Sequence, residues 1–216
     1  MDKKYLLDAL RRYLEYYRDS ITEMKTDPKK VGPYGVKTPF FPLYNRKGIF
    51  WILDSLGKIG CNTSQFEREV SKIDEEFKAY EKDYKEDFLN PLYNDLKGLI
   101  GTYEEYFSDF QKYKDIFRAN EELDPLYKEY FLNRNKGLFF ADEYEFDILI
   151  SVRTYIEILF EYLDGKLNIE GLKNKVQEMD NIFKKDLDDI LKCMGLDEYP
   201  SYEPFAPAKY WWLHIN

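Results

Sequence analysis

Apolar residues recur at steps of three and four along most of the chain, and charged residues fill the positions between them. This spacing places the apolar side chains on one face of an α-helix. The N-terminal stripe comprises Leu6, Leu7, Leu10, Tyr13, Leu14, Tyr17 and Ile21. A later stripe comprises Phe66, Val70, Ile73, Phe77, Tyr80, Tyr84 and Phe88. The pattern predicts two long amphipathic helices, the second with a coiled-coil-like seam.

Further helices are predicted from the same spacing or from continuous apolar runs. They cover residues 48–59, 91–117, 122–134, 142–163 and 168–194. Asn90-Pro91 is predicted to end the seam helix, because proline is well suited to the first turn of a new helix. The helices on either side of this break are expected to form an antiparallel hairpin or a kinked rod.

Two segments do not have a helical pattern. Residues 27–45 contain four prolines and two glycines, which predicts a long irregular loop rich in aromatic side chains. Residues 196–216 form a tail rich in proline and tryptophan. No internal repeat is evident. The chain, residues 1–216, is therefore predicted to be a single all-α domain, a bundle of about six or seven helices with long antiparallel, coiled-coil-like pairs.

Composition indicates a cytoplasmic protein without a membrane partner. The two cysteines, Cys61 and Cys193, form no paired motif, which argues against a disulfide framework. Neither a signal peptide nor an apolar run of about 20 residues, long enough to span a membrane, is evident. Lysine, glutamate and tyrosine are abundant while histidine is scarce; this bias is typical of heat-loving organisms and also follows from genome base composition.

Signatures of enzyme chemistry are sparse. The usual zinc, haem and di-iron sites use histidine ligands, and the chain has a single histidine, His214. The sequence also contains no glycine-rich phosphate loop. We therefore predict no cofactor, no metal and no catalytic residue. A magnesium-dependent all-α enzyme stays as an alternative, because some carboxylates lie three or four residues apart. These are Asp142, Glu145, Glu161, Asp164, Asp186, Asp188 and Asp189.

The segment 25–51 combines basic and aromatic residues. Its candidate binding residues are Lys29, Lys30, Tyr34, Lys37, Phe40, Phe41, Tyr44, Arg46 and Lys47. Residues 1–47 hold 11 Lys or Arg against 6 Asp or Glu, a charge of +5. Since the net charge of the chain is -9, the remaining residues carry a charge of -14. Such a segment can bind a nucleic acid by phosphate contacts and base stacking. Alternatively, it is a packed connector whose lysines face the acidic body of the protein.

Arg153 and the terminal tryptophans are further candidates for a binding surface. Arg153 interrupts the most apolar predicted helix, so we expect a paired structural arginine, with an anion contact as the alternative. Tyr210, Trp211 and Trp212 are expected to dock on the bundle, with a partner-binding peptide as the alternative.

These features favour a non-enzymatic helical interaction or adaptor protein, an accessory subunit of a prokaryotic or viral complex. Its partner is expected to be another protein or a second copy of the chain. The alternatives are a nucleic-acid-associated protein that binds through residues 25–51, and the magnesium-dependent enzyme.

Overall fold

The computed structural model describes residues 2–119, 143–194 and 205–215, and these are organised as an all-α bundle. The α-helices are α1 (Lys3–Thr26), α2 (Phe40–Lys58), α3 (Ser64–Asp83), α4 (Lys85–Ala119), α5 (Glu143–Leu163) and α6 (Glu170–Met194). Single 3-10 turns occur at Pro33–Gly35 and Trp211–Leu213. The predicted fold class is thus confirmed, whereas the predicted coiled-coil-like pairing stays a prediction. The short helix expected at 122–134 lies outside the described residues.

The irregular segment is shorter than predicted, because α2 begins at Phe40 rather than after residue 45. Pro42 lies in the first turn of α2, where backbone amides have no intrahelical acceptor, so its missing N–H costs little. Phe40, Phe41 and Tyr44 therefore belong to a helix rather than to a loop.

The predicted helix break at Asn90-Pro91 is wrong. Helix α4 continues through Pro91, and the break lies at the single residue Tyr84. A proline in a helix interior costs about 3 kcal/mol, but burial of large apolar side chains on both sides offsets this cost. The side chains are Phe88, Leu89 and Leu92.

The six α-helices within the described residues form two three-helix units with equivalent contacts. In the first unit α1 packs against α2 and α3, and in the second α4 packs against α5 and α6. The Tyr17 hydroxyl donates to Asp74 over 2.8 Å, and Arg46 binds the same carboxylate through Nε and Nη2, each at 2.8 Å. Tyr103, Asp180 and Arg153 repeat this arrangement in the second unit.

The equivalence extends to the core and to the helix ends. The same buried residue types occur at equivalent positions of the two units: Ile49 and Ile156, Leu56 and Leu163, Val70 and Val176, and Phe77 and Phe183. The side chain of Asn62 accepts the Ser64 amide at the start of α3, and that of Asn168 accepts the Glu170 amide at the start of α6. Residues 46–77 therefore correspond to residues 153–183 in these contacts, a relation that the sequence pattern does not predict.

The two units share one continuous apolar core. Helix α2 packs against α5, where the ring of Tyr155 lies 4.5 Å from that of Phe40 and 5.3 Å from that of Tyr44, measured between centroids. Within α2, Gly48 faces α1 so closely that a Cβ atom there would overlap the ring of Tyr13. The absence of a side chain at Gly48 therefore permits this helix pair to pack.

Candidate functional site

Each unit has a tyrosine-aspartate-arginine cluster between its helices, and that of the second unit is buried. The side chains of Arg153 and Asp180 are only 8% and 5% exposed. All three guanidinium nitrogens of Arg153 are engaged, two by Asp180 and Nη1 by Glu157 at 3.1 Å. The ring of Trp212 covers the guanidinium group, and the Cζ atom of Arg153 lies 3.9 Å from the ring centroid. This is the arrangement expected of a paired structural arginine.

The surroundings raise the pKa of Arg153 and of Tyr103. Burial lowers the pKa of Arg153, but the hydrogen bonds and charges of Asp180 and Glu157 outweigh it and raise the pKa overall. Burial and the charge of Asp180 hold the pKa of the Tyr103 hydroxyl well above its ordinary value. The guanidinium group therefore stays charged and the phenol stays protonated near neutral pH.

The cluster of the first unit lies closer to solvent. The side chain of Arg46 is 38% exposed and that of Asp74 is 12% exposed. The aromatic ring against Arg46, 4.7 Å away, is that of Phe50, one turn further along the same helix. Burial raises the pKa of Asp74, but hydrogen bonds from Arg46 and Tyr17 prevail and lower it below its ordinary value.

A groove lies between the second and third helices of each unit. The first groove, between α2 and α3, encloses about 560 Å³ and is lined by Phe50, Leu53, Asp54, Gly57, Lys58, Thr63 and Glu67. The second groove, between α5 and α6, encloses about 320 Å³. Its lining residues are Arg153, Glu157, Phe160, Glu161, Asp164, Lys173, Val176 and Gln177. The two grooves occupy equivalent positions in the two units.

The grooves differ because the residues at equivalent positions differ. In the second groove, Lys173 binds Asp164 at 2.6 Å and so bridges the two helices. Gly57 and Glu67 hold these positions in the first groove and cannot form such a pair. A Cβ atom at Gly57 would meet nothing within 4 Å, so the first groove stays open.

The first groove also has an apolar surface. Phe50 stands at the position that Glu157 holds in the second groove, and it is 41% exposed. Leu53 contributes to the lining, and Ile59, at the adjoining end of α2, is 51% exposed. Sequence reasoning missed this site; an alignment of residues 46–77 with 153–183 would have shown the replacement of charged residues by Phe50 and Gly57.

The basic residues predicted as a nucleic-acid surface largely contact the protein's own acids. Lys30 binds Glu23, Arg46 binds Asp74 and Lys47 binds Glu161. Lys37 donates its backbone amide to Asp95 at 2.8 Å, and its ammonium group lies 3.8 Å from the same carboxylate. Lys29 is exposed. The contacts of Lys30, Lys37, Arg46 and Lys47 are those of a packed connector.

The aromatic residues of this segment mostly face inward. Phe40 is buried, and Phe41 and Tyr44 are half-buried against the core. Tyr34 is more exposed, and its ring makes an edge contact with Tyr155, 5.5 Å between centroids. The structure therefore does not gather these rings on a surface where bases could stack.

The part of the predicted tail that the structure describes, residues 205–215, docks on the helices. Trp212 is buried and Trp211 is half-buried. The indole N–H of Trp212 donates to the Thr154 hydroxyl over 3.0 Å, and the Tyr210 hydroxyl donates to Glu161 over 2.8 Å. Lys209 also binds Glu161.

Of the carboxylates proposed for magnesium, Glu161 and Asp164 bind lysine side chains. Burial raises the pKa of Glu161, but hydrogen bonds from Lys209, Lys47 and Tyr210 outweigh burial and lower this pKa below its ordinary value. Asp164 is paired with Lys173. Within the described residues, no group of three or more His, Cys, Asp or Glu side chains is placed to hold a metal ion. Asp142 and the side chain of Glu145 lie outside that description.

Comparison with known proteins gives no relative: no family model matches the chain, and neither a curated protein nor a solved structure matches it. In the parts of the chain that the structure describes, no helix combines the length and the apolar character needed to cross a membrane. The internal comparison of the two units is therefore the guide to function.

Proposed function

We propose that this chain is a non-enzymatic helical interaction protein that binds another protein through the first groove. The observation that carries the proposal is the difference between the equivalent grooves. Where the second groove is bridged by Lys173 and Asp164, the first is open and presents Phe50 beside Gly57. An accessory subunit of a larger prokaryotic or viral complex would use such a surface as an adaptor.

The shape of the groove favours an amphipathic helix as the bound element. A groove between two helices accepts the apolar face of a third helix, whose bulky side chains insert as anchors. Full burial of a side chain such as that of Phe50 contributes about 1.5–3 kcal/mol, and a few such anchors supply most of the affinity of an interface.

The charges at the rim favour a basic partner. Asp54 and Glu67 contribute two carboxylates, and Lys58 contributes one cation, which is paired with Asp54 at 2.6 Å. A lysine or arginine next to the apolar anchor of the partner would complement Glu67 and increase the association rate. We therefore propose a partner helix with a large apolar residue flanked by basic residues.

The test is an affinity capture from the native host at moderate salt, with and without nuclease. The groove is blocked by Gly57→Trp, and the matched control is Gly98→Trp on α4, where a Cβ atom also meets nothing within 4 Å. We expect a protein that survives nuclease treatment, binds wild type and Gly98→Trp, and is lost with Gly57→Trp. Equal capture by both variants would reject the groove, and loss on nuclease treatment would favour the nucleic-acid alternative.

A further inference from the structure

Residues 205–215, which we call the C-terminal hook, are folded by their own hydrogen bonds. The amide of Tyr210 donates to the Pro207 carbonyl over 2.9 Å, and the amide of Leu213 donates to the Tyr210 carbonyl over 2.8 Å. Nε2 of His214 lies 2.7 Å from the Ala206 carbonyl oxygen, within hydrogen-bond distance. The backbone hydrogen bonds described for the hook all close turns within it. The hook therefore has the character of a preformed peptide.

The helices hold the hook through side chains. Arg153, Thr154 and Glu161 of α5, with Trp51 of α2, form what we call the hook face. Trp212 stacks on Arg153 and donates to Thr154, while Lys209 and Tyr210 bind Glu161. The ring of Tyr210 lies 4.8 Å from that of Trp51. Tryptophan, tyrosine and arginine are the residues most enriched at the energetic centres of protein interfaces.

The hook face is positioned by groups outside the hook. Asp180 and Glu157 fix the guanidinium group of Arg153, and Lys47 binds Glu161. The hydroxyl of Thr154 donates to the Ile150 carbonyl over 2.9 Å, which leaves its oxygen to accept from Trp212. Receptor and ligand are thus organised independently, which lowers the entropic cost of bringing them together.

The first unit shows that this cluster does not require a C-terminal segment. There, the ring against the Arg46 guanidinium comes from Phe50 of the same helix. The hook is therefore an addition to the three-helix unit, and it covers the core with the buried side chains of Tyr210, Trp212 and Leu213.

We propose that the hook face is a peptide-binding site which the chain's own hook fills, and that the hook of a second copy can fill it instead. Two copies would then be joined by exchange of this segment, a route to dimers that needs no new interface. The site is separate from the first groove, so this inference does not depend on the proposed function.

The first experiment measures peptide binding to full-length protein. The probe is a fluorescent synthetic peptide of residues 205–215, and the receptor is the Trp212→Ala variant, whose own hook lacks the main anchor. We expect saturable binding to this variant and at least ~10-fold weaker binding to wild type, because a tethered hook competes at an effective concentration of the order of 1 mM. A control peptide with Trp212→Ala should bind at least ~10-fold more weakly.

Two further variants keep the result interpretable. Lys209→Ala combined with Tyr210→Phe removes both contacts to Glu161 while retaining the ring, and it replaces Trp212→Ala as receptor if the latter does not unfold cooperatively in urea. Adding Thr154→Val to the receptor should lower its affinity for the peptide several-fold. A cooperatively folded receptor that does not bind the peptide, or that binds it equally well with Thr154→Val, would overturn the proposal.

The second experiment tests exchange between copies. One variant has a defective hook, Trp212→Ala, and the other has a defective face, Thr154→Val with Glu161→Gln. Each should be a monomer of about 26 kDa, and a 1:1 mixture should contain a complex of twice that mass by light scattering. If the peptide binds but the mixture stays monomeric, the exchange is overturned and the face serves a segment of another protein.

Discussion

The Arg46 and Arg153 clusters share a tyrosine and an arginine that bind one aspartate, but they differ in exposure. In the second unit the ion pair is buried, and the ring of Trp212 from the hook covers it. In the first unit the arginine is more than one-third exposed and lies beside the open first groove. The comparison teaches that one scaffold supports two uses: the buried cluster holds the core and the hook together, whereas the exposed one borders an open groove.

Removal of the two aspartates should separate these uses most strongly. Asp180→Asn removes the main counter-charge of the buried Arg153 and leaves only Glu157, and we expect a loss of about 3–5 kcal/mol in the free energy of unfolding. Asp74→Asn should cost about 1–2 kcal/mol, because water can solvate the half-exposed Arg46. Urea unfolding of both variants measures the difference. Equal costs would show that burial does not distinguish the clusters.

Two glycines of α2 test the opposite faces of this helix. Gly48→Ala would overlap the ring of Tyr13, and we expect it to destabilise the protein by about 1–3 kcal/mol. Gly57→Ala points into the first groove, where it meets nothing, and should stabilise the helix by about 0.5–1 kcal/mol. Thermal and urea unfolding should therefore give shifts of opposite sign. A destabilising Gly57→Ala would mean that the groove is not open.

A third difference concerns pH. Burial raises the pKa of Asp95, despite the opposing contacts from Lys37, and the equivalent residue in the first unit is Ala9. This carboxyl therefore favours folding below its unfolded pKa of about 3.9, and that contribution is lost as pH rises through the folded pKa. Asp95→Asn should raise stability at pH 7 and change it little near pH 3, provided its side chain still accepts the Lys37 amide.

Asp74 supplies the control for this pH dependence. Its pKa is lowered, so its contribution is present above the unfolded value and is lost as pH falls through the folded one. Asp74→Asn should therefore reduce stability at pH 7 and have little effect at acid pH. Urea titrations at both pH values measure the two trends, and the same sign for both variants at pH 7 would contradict the assignment.

The smallest expected effect is that of the bridge across the second groove. Lys173→Glu introduces the residue type that Glu67 has at the equivalent position, and it breaks the ion pair with Asp164. The side chain of Lys173 is 32% exposed and that of Asp164 is 65% exposed. Exposed ion pairs contribute little, so the loss should be about 0–1 kcal/mol. A larger loss, measured by urea unfolding, would mean that the bridge is required for the second unit to fold.

Sequence periodicity was sufficient for most of the helices, because the helical pattern is local. Docking of the tryptophans could be expected because large apolar side chains are rarely exposed together. The pairing of Arg153 could be expected as well, since an unpaired buried charge is too costly. The break at Tyr84 was missed because tertiary burial outweighs the local preference of Pro91. The repeat escaped notice because its identities, such as Arg46 with Arg153, are few and widely spaced. The first groove depends on a missing side chain, Gly57, which leaves no pattern of its own.

The joint between the units has a consequence for local opening. The amide of Tyr84 donates to the Tyr80 carbonyl, and the amide of Phe88 donates to the Tyr84 carbonyl, so hydrogen bonds continue from α3 into α4. Amide hydrogen exchange reports such opening site by site. If the units open separately, Tyr84 and Phe88 should exchange ahead of the buried residues on either side. If the units unfold together, these two amides should exchange at the rate of the whole molecule, which would define a single cooperative body.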